Sequence, residues 1–388
     1  MSLCRYRHTD ASQTESRQTE SRQTKIRQSK IGLVGIGLVG RGRIGTGRSS
    51  SDSIAGMTAS SDRQVRHRAL VTATMRGPGL EKLRRLADVV YEPWTEQQPL
   101  KVYDGPALAE RLRAEHADIA VVEADFVSGP VWELPLVAVA ATRGDPNNVD
   151  VAGATSAGIP VLRTPARNAD AVAELTLGLI IALARHVLPG DRDVRENEVF
   201  RGGTIPYQRF RGVELAGRRA AIIGYGAVGR ALAWRLEALG MRVASYDPYV
   251  EEAGNDMEAV VREADIVSLH AAVTTDTVGF FGKEQFARMR PGSLFLNTAR
   301  AKLHDMDALV TALESGHISG AGLDHFEGET LPEGHPLTSM PNVVLTPHIG
   351  GATQETEARG AEMVADDLEV LFSGGVPKNI VNPEVLAK

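Results

Sequence analysis

The stretch RRAAIIGYGAVGRALAWRLEALGMRVASYD, residues 218–247, constrains the fold more than any other. Ala220–Ile223 reads as a short buried strand. GYGAVG follows at Gly224, Gly226 and Gly229. Val228, Leu232, Leu236 and Leu239 then recur at helical spacing, and Gly240 is a plausible helix stop. MRVASYD is a second strand ending in Asp247, 18 residues after Gly229. A strand, a glycine turn, a helix and a strand-end acid make a dinucleotide-binding βαβ unit. Gly224 permits the tight turn, Gly226 lets the backbone approach a pyrophosphate, and Gly229 lets helix and strand pack closely. The helix start offers unpaired N–H groups to the phosphates. Asp247 can accept hydrogen bonds from the adenosine ribose, and its charge disfavours a 2′-phosphate. NAD is therefore expected over NADP.

A second match to the same fingerprint, GIGLVG at Gly35–Gly40, lacks that context. From Ser16 the chain runs in fives: SRQTE, SRQTK, IRQSK, IGLVG, IGLVG, RGRIG, TGRSS. Such a Ser-, Arg-, Gln- and Gly-rich tract cannot bury enough surface to offset its ordering entropy. GIGLVG is two copies of IGLVG, and the sequel has too much Gly and Ser for a helix. Residues 1–68 are expected to be low-complexity and disordered. Residues 1–56 are expected to be dispensable, with Met57 a candidate start.

The rest alternates strand and helix. ALVTAT, GLEKLRRLA, DVVYEP, ALAERLRAEH, IAVVE, LVAVAAT, DVAGATSAG and PVLRT, within residues 69–165, form a small parallel α/β domain. NADAVAELTLGLIIALARH (168–186) is a long apolar helix capped by Asn168 or Asp170, followed by a loop rich in Gly, Arg and Pro. Further strands are read at DIVSLHA, GSLFLNTA, GAGLD and NVVLTP. A late helix, TEARGAEMVADDLEVLFSGG, is a candidate to pack back on the first domain. The domains are expected to be 69–167 with 355–388, and 168–354 including the linking helix.

Residues 1–68 hold 13 Lys and Arg against 5 Asp and Glu; the remaining residues hold 30 against 44. An acidic main body argues against nucleic-acid binding. The longest apolar run, near Leu177–Ala184, is far short of a bilayer span, so no membrane role follows. The single cysteine, Cys4, excludes a disulfide framework and a cysteine zinc site. A cytoplasmic setting and no metal are expected.

In open parallel sheets ligands sit outside the carboxyl ends of the strands. Three polar stretches follow strands. LFLNTARAKL carries Arg300, GLDHFEGET carries Asp324, Glu327 and Glu329, and VVLTPHIGG carries His348. Each alone has an ordinary structural reading: a surface ion pair, a solvated loop, a packed histidine. Together, after a dinucleotide fingerprint, they suit hydride transfer with a 2-hydroxy acid. His can take the hydroxyl proton, Arg can grip a carboxylate through two hydrogen bonds, and a carboxylate beside the His stabilises its charged form. His270, His304 and His325 read as structural or peripheral.

The chain resembles the D-isomer-specific 2-hydroxyacid dehydrogenase family. The matching runs are NNVDVAGATSAGIPVLRTP, NADAVAEL, GYGAVGRALA, ADIVSLHAAVTTDTVGFFG, MRPGSLFLNTAR, GAGLDHFEGETLPEGHPL and NVVLTPHIGG, covering everything from 69 onward. More loosely it is similar to D-3-phosphoglycerate dehydrogenases, without the C-terminal regulatory domain of the longer ones. The resemblance implies an α/β fold of two Rossmann-like domains, with a parallel-sheet NAD-binding domain inserted in a flavodoxin-like substrate domain. It implies NAD-dependent hydride transfer between D-2-hydroxy and 2-keto acids, phosphoglycerate-like or glyoxylate/hydroxypyruvate-like, and a homodimer. By position, Arg300 would bind the substrate carboxylate and carbonyl, His348 would be the general acid/base, and Glu329 would pair with it. Ala227, Val228 and Asp247, with the three glycines, would hold pyrophosphate and ribose. Ala272, Thr277, Thr298, Ala299 and Gly351 would line the nicotinamide side. Asp324 would contact the carboxamide or tune the site. Arg143 and Gly144, in TRGDPNN, would meet the substrate carboxylate.

Four positions depart from the family pattern. Ala301 replaces a usual Gly and would be strained at positive φ. Thr330 replaces a common Pro. Asp145, often Gly, would repel an anionic substrate. His304 replaces a small apolar residue. A rival reading is a dinucleotide-sensing corepressor-like binding protein on the same fold. A formate- or phosphite-type dehydrogenase is disfavoured by Glu329.

Overall fold

The computed structural model describes residues 66–387; the five-residue repeats and GIGLVG lie outside them. From the start of that span the chain forms β1 Arg68–Val71, α1 Gly77–Leu86, β2 Asp88–Tyr91, α2 Gly105–Ala114, β3 Ile119–Val122, β4 Ala138–Ala141, α3 Val151–Ser156 and β5 Val161–Leu162. The five strands make one parallel sheet in the order β2-β1-β3-β4-β5, the flavodoxin-like order. Every residue of β3 (IAVV) and β4 (AVAA) is buried, because helices cover both faces of a parallel sheet.

Then come α4 Ala169–Ala184, α5 Val187–Arg195, α6 Pro206–Arg209, β6 Arg219–Ile223, α7 Ala227–Ala238, β7 Arg242–Tyr246, α8 Met257–Glu263, β8 Ile266–Leu269, α9 Lys283–Arg288, β9 Ser293–Asn297, α10 Met306–Glu314, β10 Ile318–Leu323, β11 Val343–Leu345 and α11 Gln354–Phe372. The second sheet is also parallel, in the order β11-β10-β9-β8-β6-β7. α11 returns to the first sheet. Its Ala361, Val364, Ala365 and Leu368 share a core with Ala69, Val71, Leu80 and Leu83. The approach is close: a Cβ at Gly79 would stand 2.2 Å from Glu362 N. Beyond α11, Val381 N donates to Val161 O (2.8 Å). The Asn382 side chain accepts from Val161 N (2.8 Å) and donates to Ile159 O (2.9 Å), so the tail covers the β5 edge. The second-sheet unit is thus inserted in the chain of the first.

Three local expectations change. Asn168, not Asp170, stands at the α4 cap position, but its side chain makes no capping bond; Asp170 instead pairs with Arg235 of α7 at 3.0 Å. The segment after His186, expected as loop, holds α5 and α6. Pro189 falls in the first turn, where its missing N–H costs nothing. Asp193, nearly fully buried, ties the segment together by pairing with Arg209 (2.5 Å) and Arg201 (3.3 Å). Leu239, expected on the apolar face of α7, lies past its last turn and is exposed. Among the described residues no single helix is long and apolar enough to cross a membrane.

Candidate active site

The fingerprint turn joins β6 to α7. Gly224 has φ +97°, and a Cβ there would fall 2.4 Å from Ala271 N and 2.5 Å from His270 C. The turn needs glycine for its backbone angle and because the chain leaving β8 runs against it. A Cβ at Gly229 would stand 2.2 Å from Gly224 O, so helix and strand meet there. A Cβ at Gly226 would meet nothing within 4 Å, and no side chain caps α7. Open space before an uncapped helix start fits a pyrophosphate. Ala227 is exposed beside it and Val228 half-buried. Asp247 Oδ2 accepts from Tyr225 N (2.8 Å) and Oδ1 from Tyr249 N (3.0 Å), which braces the turn. Each oxygen keeps a lone pair for a hydroxyl.

Arg300 follows β9 and is exposed. Its only side-chain bond is from Nη1 to Ala299 O (2.6 Å), and no carboxylate pairs with it among the described residues. Its backbone is fixed by Asn297, a residue the sequence reading missed. Asn297 is buried; its Nδ2 donates to Arg300 O (2.8 Å) and His304 Nδ1 (2.9 Å), while Oδ1 accepts from Ala299 N (3.0 Å) and Arg300 N (3.3 Å). Burial pushes His304 down to about 4, so its ring stays neutral and can accept. It is therefore part of the Arg300 support rather than peripheral. Ala301 opens a short helical turn at ordinary negative φ, so the expected strain is absent. Thr330 is extended (φ −140°), a conformation proline could not hold.

His348 follows β11 and its Nδ1 lies 2.9 Å from Glu329 Oε1. With the Nδ1 proton donated to Glu329, Nε2 is left to exchange a proton. Both residues have left-handed backbones, φ +62° at Glu329 and +54° at His348. Such conformations cost about 1–3 kcal/mol each and persist only where the surroundings impose them. Asp324 does so for His348. Fully buried, it accepts from Thr346 Oγ1 (2.6 Å), Ile349 N (2.9 Å) and Gly350 N (2.8 Å), clamping the turn on both sides of His348. Of the two expected roles, contact with the carboxamide or tuning of the site, these bonds favour the second, since most of the carboxylate's acceptor capacity is used inside the protein.

The Thr298 side chain is likewise engaged within the protein. It is buried, and its hydroxyl lies 2.7 Å from that of Thr176 in α4, which itself donates to Val172 O. Thr277 Oγ1 donates to Ala272 O (2.7 Å) and closes an exposed turn. Ala299 is half-buried; Gly351 lies against Asn168, whose Nδ2 a Cβ would approach to 3.1 Å. His325, expected to be structural or peripheral, packs on His348 with ring centroids 3.8 Å apart. Burial, with the charges of His348 and Arg300, pushes it down to about 3, so it is neutral.

From the first sheet, Arg143 follows β4 and donates to Asn147 Oδ1 (2.8 Å). Burial holds its guanidinium below the ordinary range, and the positive charges of Arg300 and Arg167 act the same way, against Glu123 and Asp145. The charge of Arg300, from the other sheet, therefore reaches Arg143, an arrangement that favours an anion near both. Gly144 and Asp145 are exposed beside Arg143. A separate cavity of about 260 Å³, lined by Arg218, Asp265, Gly292 and Asn342, lies at the amino ends of the second sheet and holds none of these groups.

Residues 177–350 match the model of the D-isomer specific 2-hydroxyacid dehydrogenase NAD-binding domain. A glyoxylate reductase of Korarchaeum cryptofilum is 35% identical, over 82% of this chain and 97% of that protein. A glycerate dehydrogenase of Methylorubrum extorquens is 36% identical, over 77% of this chain and 96% of its own length. Among solved structures, the NADPH-dependent glyoxylate/hydroxypyruvate reductase of Sinorhizobium meliloti superposes with a TM-score of 0.66 at 28% identity, covering 82% of this chain and 98% of that one.

Proposed function

This chain belongs to the D-isomer specific 2-hydroxyacid dehydrogenase family, and on that premise we propose that it interconverts a short 2-keto acid and its D-2-hydroxy acid using NAD(H), through Arg300, Glu329 and His348. The observation that carries this reading is the Glu329–His348 pair at 2.9 Å near an exposed guanidinium, Arg300, that has no carboxylate partner. The dinucleotide, when bound, supplies or accepts the hydride. In the reducing direction Arg300 holds the substrate carboxylate and draws electron density toward the carbonyl oxygen. Protonated His348 delivers its Nε2 proton to that oxygen, and Glu329 holds the imidazole in the orientation that allows it. In the oxidising direction neutral His348 takes the hydroxyl proton. Arg143 and Gly144 meet the carboxylate from the first sheet, while Asp145 disfavours a second negative charge on the substrate. Glyoxylate, hydroxypyruvate and their D-hydroxy acids therefore suit the site better than phosphorylated analogues. The corepressor-like alternative finds no support among relatives named as reductases and dehydrogenases.

We propose NAD over NADP because the segment after β7 is acidic. Asp247, Glu251 and Glu252 follow it, and Arg230 is already paired with Glu252 at 3.1 Å. NADH oxidation is to be followed with glyoxylate, hydroxypyruvate, its 3-phosphate, pyruvate and longer 2-keto acids. Turnover with an unphosphorylated short acid, faster with NADH than NADPH, is expected, and Asp247→Ser should narrow the cofactor preference. No turnover anywhere in the panel would sink the reading.

A homodimer is proposed on the segment between α4 and β6. Val194, Phe200 and Tyr207 are 68%, 71% and 83% exposed, and Val187, Leu188 and Ile205 stand out beside them. Apolar side chains gathered in this way mark an interaction surface. Light scattering should give twice the chain mass, and Phe200→Asp with Tyr207→Asp should shift it to the monomer. A monomeric parent protein would refute the assembly. A cytoplasmic setting is proposed from the single cysteine.

A further inference from the structure

We propose that His325, Glu329 and His348 form a binding site for a divalent transition metal of the zinc class, and that metal capture there takes the acid/base out of action. The inhibitory half rests on the role proposed above for His348; the binding half does not. One ligand atom from each of the three residues lies within 4.8 Å of the others. No metal is expected from the sequence, where the single cysteine excludes a cysteine zinc site and His325 reads as structural or peripheral.

His325 is what turns an acid/base pair into a ligand set. It follows buried Asp324 at the end of β10, the residue is 5% exposed, and its ring faces His348. Neither of its ring nitrogens bonds to a protein group among the described residues. Its nitrogens are not among the fully enclosed unpartnered atoms, so a largely buried ring keeps a lone pair that an incoming metal can reach. Two imidazoles and one carboxylate are a borderline donor set suited to Zn²⁺, Ni²⁺ or Cu²⁺ rather than to Mg²⁺ or Ca²⁺. Metal–nitrogen bonds of about 2.0–2.1 Å require the ligand atoms to close in by roughly 1 Å. The two outer ligands can move: the His348 and Glu329 side chains are 45% and 60% exposed. Three protein ligands leave a fourth position open to water. Arg300 opposes a cation here, and the Glu329 carboxylate offsets it. A His348 nitrogen that donates its lone pair to a metal cannot accept a proton there, and the shift toward the metal breaks the alignment with Glu329.

The test uses the full chain, stripped with a chelator and dialysed. Co²⁺ is titrated in and read by its visible absorbance, and Zn²⁺ is titrated by calorimetry. NADH-dependent reduction of the best 2-keto acid is measured with and without Zn²⁺, each variant normalised to its own metal-free rate. One Co²⁺ per chain, inhibition by Zn²⁺ and recovery with chelator are expected. His325→Val should weaken binding at least about tenfold, since even losing a partner beyond the direct ligands costs that much. Glu329→Gln, at an exposed position, should weaken it without disturbing the buried ring. Co²⁺ or Zn²⁺ binding equally tight in both variants overturns the proposal, as does activity that chelation abolishes and Zn²⁺ restores. Metal binding that depends on His325, in a protein that turns over no keto acid, upholds the site and tells against the dehydrogenase reading instead.

Discussion

Replacing His348 by alanine is expected to lower kcat for keto-acid reduction by about 10²- to 10⁴-fold, the range that a positioned acid or base contributes. The loss should fall on kcat rather than on KM. In the proposed site the substrate carboxylate is held by Arg300, on a different strand, and that grip would be the same in ground and transition states. NADH binding, followed by its fluorescence, should be unchanged, because the fingerprint turn shares no hydrogen bond with the His348 turn. Glu329→Gln should cost less, since glutamine still accepts from Nδ1 but no longer stabilises a charged ring (2.9 Å). The direction of pH dependence differs between the two half-reactions. Reduction requires the protonated imidazole and should fade as pH rises; oxidation requires the neutral one and should strengthen. Both dependences should disappear in His348→Ala. A variant retaining parental kcat with the parental pH profile would remove His348 from the chemistry.

The parts legible in the sequence are those set by local constraint. Gly224 and Gly229 are dictated by backbone angle and by atoms 2.2–2.4 Å from any added Cβ, so their spacing carries the turn with it. β3 and β4 announce themselves as unbroken apolar runs. Arg300, Glu329 and His348 stand out as candidates because each follows the carboxyl end of a strand. The illegible parts depend on partners distant in the chain. Whether Thr298 faces a ligand or α4 is decided by Thr176, 122 residues away. Asp324 looks like an exposed site acid in the sequence, and only the fold shows it bound to Ile349 and Gly350. Asn297 carries no motif of its own. An asparagine three residues before an exposed strand-end Arg was the available signal, but only the fold shows it making four hydrogen bonds in one loop. Burial separates His304 and His325 from surface histidines, and loop composition does not encode burial. The loop expected after His186 was read from its Pro and Gly, whereas Asp193 with Arg201 and Arg209 makes it an ordered arm.

Replacing Arg300 by alanine is expected to lower kcat/KM by about 10³-fold or more, from two separate losses. A charge-assisted carboxylate bond contributes about 1.5–3 kcal/mol, and a donor aimed at a developing oxyanion about 2.7–4 kcal/mol. The first loss raises KM and the second lowers kcat, so both constants should move, unlike in His348→Ala. Arg300→Lys should recover part of the kcat effect, because the charge remains. It should recover little of the KM effect, because an ammonium cannot form the planar two-bond fork. Folding should be indifferent to either change. The side chain is exposed and bonds only to Ala299 O, while the loop conformation is held by Asn297 through backbone atoms. Thermal unfolding should therefore stay within about 0.5 kcal/mol of the parent. That control separates the alternatives: a destabilised Arg300→Ala protein would make Arg300 a structural residue, and a stable one with unaltered kcat/KM would place carboxylate recognition on Arg143 alone. The effect of the Arg300 charge on Arg143 argues against the second outcome. The positive charge of Arg300 weighs on the Arg143 guanidinium, and an anion bound near both would relieve it.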